Sequence, residues 1–203
     1  MEKFTKLSGV AAPFTRINVD TDLIIPAEYL KTIRRTGLGK HLFSYIRYND
    51  DGSQKKEFIL NKAHYKKSII LITGKNFGCG SSREHAVWAL KDFGIKCLIG
   101  AEFADIFYNN CFKNGILPII LNQSYINRII KKISSEKTSM LTVDLKKQII
   151  IMDQNEVLKF KVDSYRKKCL LEGLDDISLT LNKDTLISKY EFNLKKKLPW
   201  LDK

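Results

Sequence analysis

The chain has 203 residues, 44% of them hydrophobic, and a formal net charge of +13 from 35 basic and 22 acidic side chains. This length supports one substantial core, and no apolar stretch approaches the roughly eighteen residues that a membrane-spanning helix needs. The N-terminus lacks the apolar segment of a signal peptide. We therefore expect a cytoplasmic α/β protein that forms a single domain over residues 1–203 with a C-terminal helical extension.

The positive charge does not point to a particular ligand. Most of it is lysine in short scattered groups, without the interleaved aromatic residues that stack on nucleic-acid bases. Specific nucleic-acid binding is therefore disfavoured, although a basic RNA-binding protein remains the alternative to an enzyme. The four cysteines include no C-x-x-C pair and the three histidines are scattered, so the sequence predicts neither a disulfide framework nor a metal site.

The first third of the chain is predicted to consist of extended segments and loops. Residues 5–25 end in an Asx-rich turn at Asn18–Asp22, and Pro26 suits the first turn of a short helix. Residues Ile33–Gly39 lack periodicity and are predicted to form a loop, where binding residues often collect. The pattern at Glu57–Leu60 indicates a possible strand.

The rest of the chain alternates short apolar runs with helical patterns. Strands are predicted at 68–73, 96–99 and 116–121, and helices at 82–92 and 104–113. This alternation indicates β-α-β units on a parallel sheet. Beyond it the pattern predicts a helix at 124–133, strands within 140–152 and at 157–160, and helices at 164–172 and 184–190.

The run from Asn76 to Ala89, NFGCGSSREHAVWA, carries most of the chemical information. Gly78 and Gly80 can adopt positive φ angles, which allows the amides of Gly78, Cys79 and Gly80 to converge as an anion-binding nest. The predicted helix start adds unpaired N–H groups and partial positive charge. Arg83 adds a planar cation suited to a carboxylate or a phosphate, so the run predicts a site for a small anion.

A purely structural interpretation of the same run stays open. Ser81-Ser82-Arg83-Glu84 has the S-x-x-E form of a capping box, in which the Ser81 hydroxyl accepts a hydrogen bond from the Glu84 amide. Capping is compatible with anion binding. The motifs of dinucleotide loops, P-loops and nucleophile elbows do not fit these residues.

The same run resembles the signature of the small subunits of isopropylmalate isomerase (3-isopropylmalate dehydratase), which are relatives of the last domain of aconitase. Five further segments fit the bacterial type of this family, in the expected order: Asn18–Pro26, Arg35–Leu42, Phe103–Phe107, Asn114–Ile119 and Gly173–Leu181. The resemblance covers nearly the whole chain. It implies a three-layer β/β/α swivelling domain like the C-terminal domain of aconitase.

The resemblance also implies a function. Members of this family are hydro-lyases of leucine biosynthesis, which convert 2-isopropylmalate into 3-isopropylmalate by losing and regaining water through isopropylmaleate. It implies a heterodimer that is active only with a large subunit, which carries a [4Fe–4S] cluster, while this chain binds no cofactor. Homoaconitate and methylmalate-type diacids remain alternative substrates for the same scaffold.

By motif, the resemblance assigns Ser81 as the catalytic base, acting as an alkoxide. Ser82 and Arg83 correspond to residues that hold a substrate carboxylate. A helix N-terminus typically contributes only ~0.3–1 kcal/mol, whereas each unit of pKa depression needs about 1.4 kcal/mol. We therefore expect Ser81 to become basic only when the partner closes over the site. For Arg166 two roles remain possible, one in the subunit interface and one in the site.

The N-terminal half is expected to bind the other end of the diacid. Asp22 would orient an arginine that binds the distal carboxylate, and the R-T-G pattern favours Arg35 over Arg34 for this role. Residues 27–36 would face the isopropyl group. Candidates for its apolar wall, which a buried helix face explains equally well, are Tyr29, Leu30 and Ile33.

Overall fold

The computed structural model describes residues 1–135, 139–153 and 156–201. The strands in these ranges are β1 Lys6–Phe14, β2 Ile70–Thr73, β3 Cys97–Gly100, β4 Leu117–Ile120, β5 Met140–Asp144, β6 Ile149–Ile151 and β7 Val157–Lys159. The α-helices are α1 Thr21–Ile24, α2 Ser44–Arg47, α3 Glu84–Phe93, α4 Asp105–Lys113, α5 Gln123–Ser135, α6 Ser164–Glu172, α7 Asp176–Leu181 and α8 Asp184–Lys197. Short 3₁₀ helices occupy Ala27–Leu30, Gly39–His41, Ile59–Asn61 and Pro199–Leu201.

All the strands belong to one mixed sheet in the order β4-β3-β2-β1-β5-β6-β7. Strand β1 joins its two halves: residues 11–14 pair in parallel with β2, and residues 6–10 pair antiparallel with β5. Strands β2 and β3 are buried along their whole length, as expected for parallel strands covered on both faces. The predicted alternation of parallel strands and helices over residues 68–121 is confirmed.

Alternate side chains of the central strands enter two separate cores. Leu71 and Leu98 pack on the side of α3 and α4, in a cluster that also contains α1 and the loops after β1. Ile70, Ile72 and Ile99 point the other way, into a cluster with α5 and strands β5 to β7. The period-two alternation of the strands therefore fixes the helices α3 and α4 on one face of the sheet.

The predicted strand at 57–60 is wrong, because this segment turns into the 3₁₀ helix Ile59–Asn61. A buried pair of polar side chains holds it there. The Nε of Arg47 donates to the Asn61 side-chain oxygen at 3.0 Å, and the Asn61 amide donates to the main-chain oxygens of Arg47 and Lys55. The largely buried guanidinium also donates from Nη1 to the Gly39 main-chain oxygen at 3.3 Å. Local β propensity does not reveal these contacts between distant segments.

The C-terminal part of the chain is attached through α6 and then loses contact with the core. Leu170 of α6 is fully buried, whereas all the side chains of residues 181–193 are exposed. Arg166 of α6 lies over the rings of Tyr108 and Phe112 and donates to Asn109 at 2.6 Å. These contacts attach α6 to α4.

We propose on this basis that the chain is one domain with a helical extension, and a truncation tests it. Removal of residues 183–203 should change the free energy of unfolding by less than about 1 kcal/mol, because α8 buries no side chain. Urea unfolding followed by circular dichroism measures this. Removal of residues 164–203, which also takes away Leu170, should destabilise the protein strongly; equal effects of the two truncations would contradict the division.

Candidate active site

The candidate site lies where the first three parallel strands end. Cys79, in the loop after β2, forms a parallel bridge with Asp20, which follows β1. On its other side Phe77 forms a parallel bridge with Phe103, which follows β3. The carboxyl ends of parallel strands are the usual place for ligand sites in open α/β sheets.

The loop needs glycine at position 78. Gly78 has a φ of +80°, and a Cβ placed there would lie 2.1 Å from the Cγ of Phe107. The amides of Gly78 and Cys79 both donate to the main-chain oxygen of Val19, at 2.7 and 3.3 Å. This differs from the predicted nest at Gly78, Cys79 and Gly80, because two of its three N–H groups are already engaged in holding the loop.

The expected capping box is also absent. Helix α3 begins at Glu84, two residues later than predicted, and its N-cap residue Arg83 makes no side-chain capping bond. Ser81 therefore lies outside the helix. The Glu84 carboxylate instead accepts a hydrogen bond from the Asn114 side chain at 2.7 Å. A tertiary contact thus replaces the local one that the S-x-x-E spacing suggested.

Helix α1 clamps the main chain around Ser81. The Thr21 amide donates to the Cys79 oxygen at 3.0 Å, and the Thr21 hydroxyl donates to the Ser81 oxygen at 2.8 Å. Asp20 caps α1 by accepting from the Leu23 amide at 2.7 Å. This bond makes Asp20 a helix N-cap and not the predicted Asx-turn, because it reaches the amide three residues on and not two.

Asp22 pairs with Arg83, which corrects the expectation that it orients Arg35. The contact joins Nη1 of Arg83 to Oδ1 of Asp22, with the arginine side chain 20% exposed and the aspartate 50% exposed. The Nη1 atom is sealed from solvent and makes no well-formed hydrogen bond within the described residues. The arginine is thus held mainly by charge, and its orientation depends on α1.

A cleft of about 250 Å³ opens beside this pair. It is lined by Thr21, Gly78, Gly80, Ser82, Arg83, Ala104, Asp105, Ile106 and Phe107. The structure therefore brings the predicted carboxylate ligands Ser82 and Arg83 together. The Ser81 side chain is exposed next to the cleft, does not line it, and makes no hydrogen bond among the described residues.

The N-terminus of α4 is a part of the cleft that sequence reasoning missed. Its N-cap residue Ala104 makes no side-chain capping bond, so the first-turn amides have no capping partner. The residues of this turn line the cleft, among them Asp105, whose carboxylate adds a negative charge to the same wall. These amides and the helix dipole favour a negatively charged group. The sequence did contain a sign of this uncapped helix start, because the capping position within Phe103–Phe107 is Ala104 and not Ser, Thr or Asn.

Arg35 lies apart from this cleft, along α3. Its guanidinium is 5.1 Å from the centre of the Trp88 ring, and it lines another cavity of about 470 Å³. The loop that carries it is fixed to the same helix, since His85 Nε2 lies 2.9 Å from the Thr32 oxygen. Arg34 is exposed, and its main-chain amide donates to the Thr32 hydroxyl at 3.0 Å.

The three candidates for an apolar wall have different surroundings. Tyr29 stacks on His41 with ring centres 3.7 Å apart, and Leu30 is partly buried against the core. Burial lowers the pKa of His41, because the imidazolium loses hydration. The side chain of Ile33 is 94% exposed, so of the three it is free to contact a ligand or a partner.

The described residues contain no group of three or more His, Cys, Asp and Glu side chains arranged to hold a metal ion. Burial raises the pKa of the Cys97 and Cys111 thiols, which disfavours the thiolate form that metals bind. None of the helices in this part of the chain combines the length and the apolar character that a membrane span requires.

The Asp22–Arg83 contact leads to a prediction about stability. Asp22→Asn should lower the free energy of unfolding by roughly 0.2–1 kcal/mol, the range of partly exposed ion pairs. Asp20→Asn removes the same charge but keeps a good N-cap residue, so it should cost less. Urea unfolding of both variants provides the measurement, and an equal loss would mean that the ion pair contributes nothing specific.

Comparison with known proteins agrees with this architecture. Residues 1–124 match the aconitase C-terminal domain family. The 3-isopropylmalate dehydratase small subunits of Azorhizobium caulinodans and Xanthobacter autotrophicus are each 56% identical over 201 residues, which is 99% of this chain and 100% of each relative. A crystal structure of 3-isopropylmalate dehydratase from Methanocaldococcus jannaschii matches with a TM-score of 0.67 and 31% identity, covering 91% of this chain and 99% of the other.

These matches confirm the resemblance and the aconitase-like fold class that were predicted from the sequence. Because the similarity extends over nearly its whole length, the chain belongs to the family of 3-isopropylmalate dehydratase small subunits.

Proposed function

We propose that this chain is the small subunit of a 3-isopropylmalate dehydratase, a hydro-lyase of leucine biosynthesis that works only in complex with a large subunit. The observation that carries the proposal is the cleft where Ser82, Arg83 and the N-terminus of α4 meet. Its groups suit a carboxylate, and 2-isopropylmalate has two. The full-length identity to small subunits of this name supports the choice of substrate.

The reaction moves a hydroxyl group between neighbouring carbons. A base removes a proton from the methylene carbon beside one carboxylate, and hydroxide leaves the adjacent carbon that bears the isopropyl group. The product of this step is isopropylmaleate and water. In the return step hydroxide adds to the former methylene carbon and the proton goes to the other one, which gives 3-isopropylmalate.

Arg83 and Ser82 would hold the carboxylate next to the carbon that loses the proton. A guanidinium presents two parallel N–H donors to a carboxylate, and the first amides of α4 add further donors on the same cleft. Asp22 keeps the guanidinium in place before substrate arrives. These groups are positioned by folding, so they need little reorganisation during the reaction.

Ser81 would remove the proton. Its main chain is fixed by Thr21 while its hydroxyl is exposed and unengaged in the described structure, so no protein group competes with a substrate for it. Because α3 begins only at Glu84, the helix dipole contributes less than the S-x-x-E pattern suggested, since its effect is confined to the first turn. The missing stabilisation of the alkoxide would come from exclusion of water when the large subunit covers the site.

The large subunit would carry the [4Fe–4S] cluster, which supplies the Lewis acid that assists departure of hydroxide. The cysteines of this chain support that division, because two of them are fully buried and the described residues contain no group of three or more side chains that could hold a metal. Arg35 would bind the distal carboxylate, and Ile33 would contact the isopropyl group. An apolar pocket discriminates between substrate side chains by only ~1–3 kcal/mol per methylene group. The preference for isopropylmalate over homoaconitate and methylmalate should therefore be measured with a panel of the three substrates.

Replacement of the base tests the proposal. Ser81→Ala, assembled with the large subunit, should lose turnover by roughly 10²–10⁴-fold, the usual contribution of a general base. Formation of isopropylmaleate is followed by ultraviolet absorbance, and gel filtration verifies that the complex persists. Ser82→Ala is the matched control and should act mainly on KM; undiminished turnover of the Ser81 variant would refute the assignment.

Arg83→Lys tests the need for a planar fork at constant charge. Losing one charge-assisted hydrogen bond costs ~1.5–3 kcal/mol, so KM should rise about 10- to 100-fold. Steady-state kinetics of the assembled enzyme provide the measurement, with urea unfolding as a check on the fold. If KM and turnover both stay unchanged, Arg83 serves the structure and not the substrate.

A further inference from the structure

Trp88 makes two specific contacts in addition to its hydrophobic packing: a hydrogen bond with Asn114 and a ring contact with Arg35. It lies on α3, half-buried, and its indole N–H donates to the Asn114 side-chain oxygen at 2.9 Å. The outer face of its ring lies under the guanidinium of Arg35, 5.1 Å away. The indole is therefore held from the protein interior and presents a flat face to an arginine at the surface.

The hydrogen bond to Asn114 fixes the plane of that ring. Asn114 is only 4% exposed, and its amide nitrogen donates to Glu84 at 2.7 Å and to the main-chain oxygen of Asn110 at 2.9 Å. With both ends of its side chain engaged, Asn114 cannot flip without losing bonds. It thus links the start of α3, beside Arg83, to the ring that carries Arg35.

The loop itself leaves Arg35 little other support. It is attached to α3 at two points, through Thr32 to His85 and through the Gly39 amide to Asp92 at 2.7 Å. Between these points Arg34 and Arg35 are both exposed, and Arg35 is the one of the two whose guanidinium contacts a ring. A guanidinium over a tryptophan face is attracted by the ring quadrupole.

We propose that Trp88 is a positioning residue, which holds the Arg35 guanidinium ready for the distal carboxylate of the substrate. The inference rests on the proposed function and deepens it. Helix α3 then carries both cations, although they line different cavities: Arg83 is its N-cap residue, and Arg35 lies against the ring of Trp88, five residues further along the helix. The contact with Trp88 also favours Arg35 over Arg34 as the arginine that binds the carboxylate, because the guanidinium of Arg34 has no such contact in the described chain.

A comparison of two Trp88 variants separates the contribution of the aromatic ring from that of the hydrogen bond and the packing. Trp88→Phe and Trp88→Leu both lose the hydrogen bond to Asn114, but only phenylalanine keeps a ring under Arg35. With the large subunit present, Trp88→Leu should raise KM roughly two- to fivefold above Trp88→Phe, with similar turnover in both. Equal KM values in the two variants would overturn the proposal, since a merely structural role affects both alike.

The Arg35→Gln background shows whether Trp88 acts through Arg35. Arg35→Gln alone should raise KM, whereas the matched control Arg34→Gln should not. In the Arg35→Gln background the difference between leucine and phenylalanine at position 88 should vanish, and its persistence would overturn the inference. An unchanged KM for Arg35→Gln alone would instead refute the assigned role of Arg35, and the inference with it.

A measurement on the isolated chain keeps the contact testable if Trp88→Leu does not fold. In a Trp200→Phe background the fluorescence comes from Trp88 as the remaining tryptophan. Arg35→Gln should then shift or intensify the emission, and Arg34→Gln should leave it unchanged. The same emission from both variants would mean that Arg35 does not rest on the ring in solution.

Discussion

The site depends on the insertion of residues 76–80 between two neighbouring segments of the parallel sheet. The bridge from Cys79 to Asp20 and the bridge from Phe77 to Phe103 continue the pairing of β1, β2 and β3 beyond the strands themselves. The main-chain oxygen of Val19 accepts hydrogen bonds from two of the three amides that a free nest would have offered to a ligand. The loop is therefore rigid because its polar groups are satisfied by the protein, and the donors left for an anion come from Arg83, Ser82 and α4.

Helix α1 has only four residues, but two of them hold the groups of the candidate site. Thr21 holds the main chain of Ser81, and Asp22 holds the guanidinium of Arg83. The base proposed at Ser81 would need an accurately placed main chain, because the stabilisation of an alkoxide depends steeply on the geometry of the surrounding donors. The exposure of Ser81 in the described structure agrees with a site that another subunit completes.

The sequence pattern predicted which residues share the candidate cleft, but not the side chains that they contact. It placed Ser82 and Arg83 at the start of a helix after a strand, and these two residues do line one cleft. It paired Asp22 with Arg35 by spacing along the chain, whereas folding places Asp22 against Arg83, about sixty residues away. It found a capping box at Ser81–Glu84, but the Glu84 carboxylate binds Asn114. In each case a local pattern competed with a contact between distant segments, and the distant contact prevailed.

Most strands and helices, the loop glycines and the family could be predicted from the sequence, because they follow from apolar periodicity, from the φ angles that glycine permits and from motif order. The segment at 57–60, which forms a 3₁₀ helix, is the exception. Three features emerge only in the folded chain: which amides stay available, which acid pairs with which arginine, and the presence of the N-terminus of α4 at the cleft. Ion pairs and hydrogen bonds of this kind form between segments that the sheet brings side by side, and the spacing of residues along a chain does not encode that proximity. The placement of Arg35 on Trp88 belongs to the same class, since a loop and a helix about fifty residues apart supply the two groups.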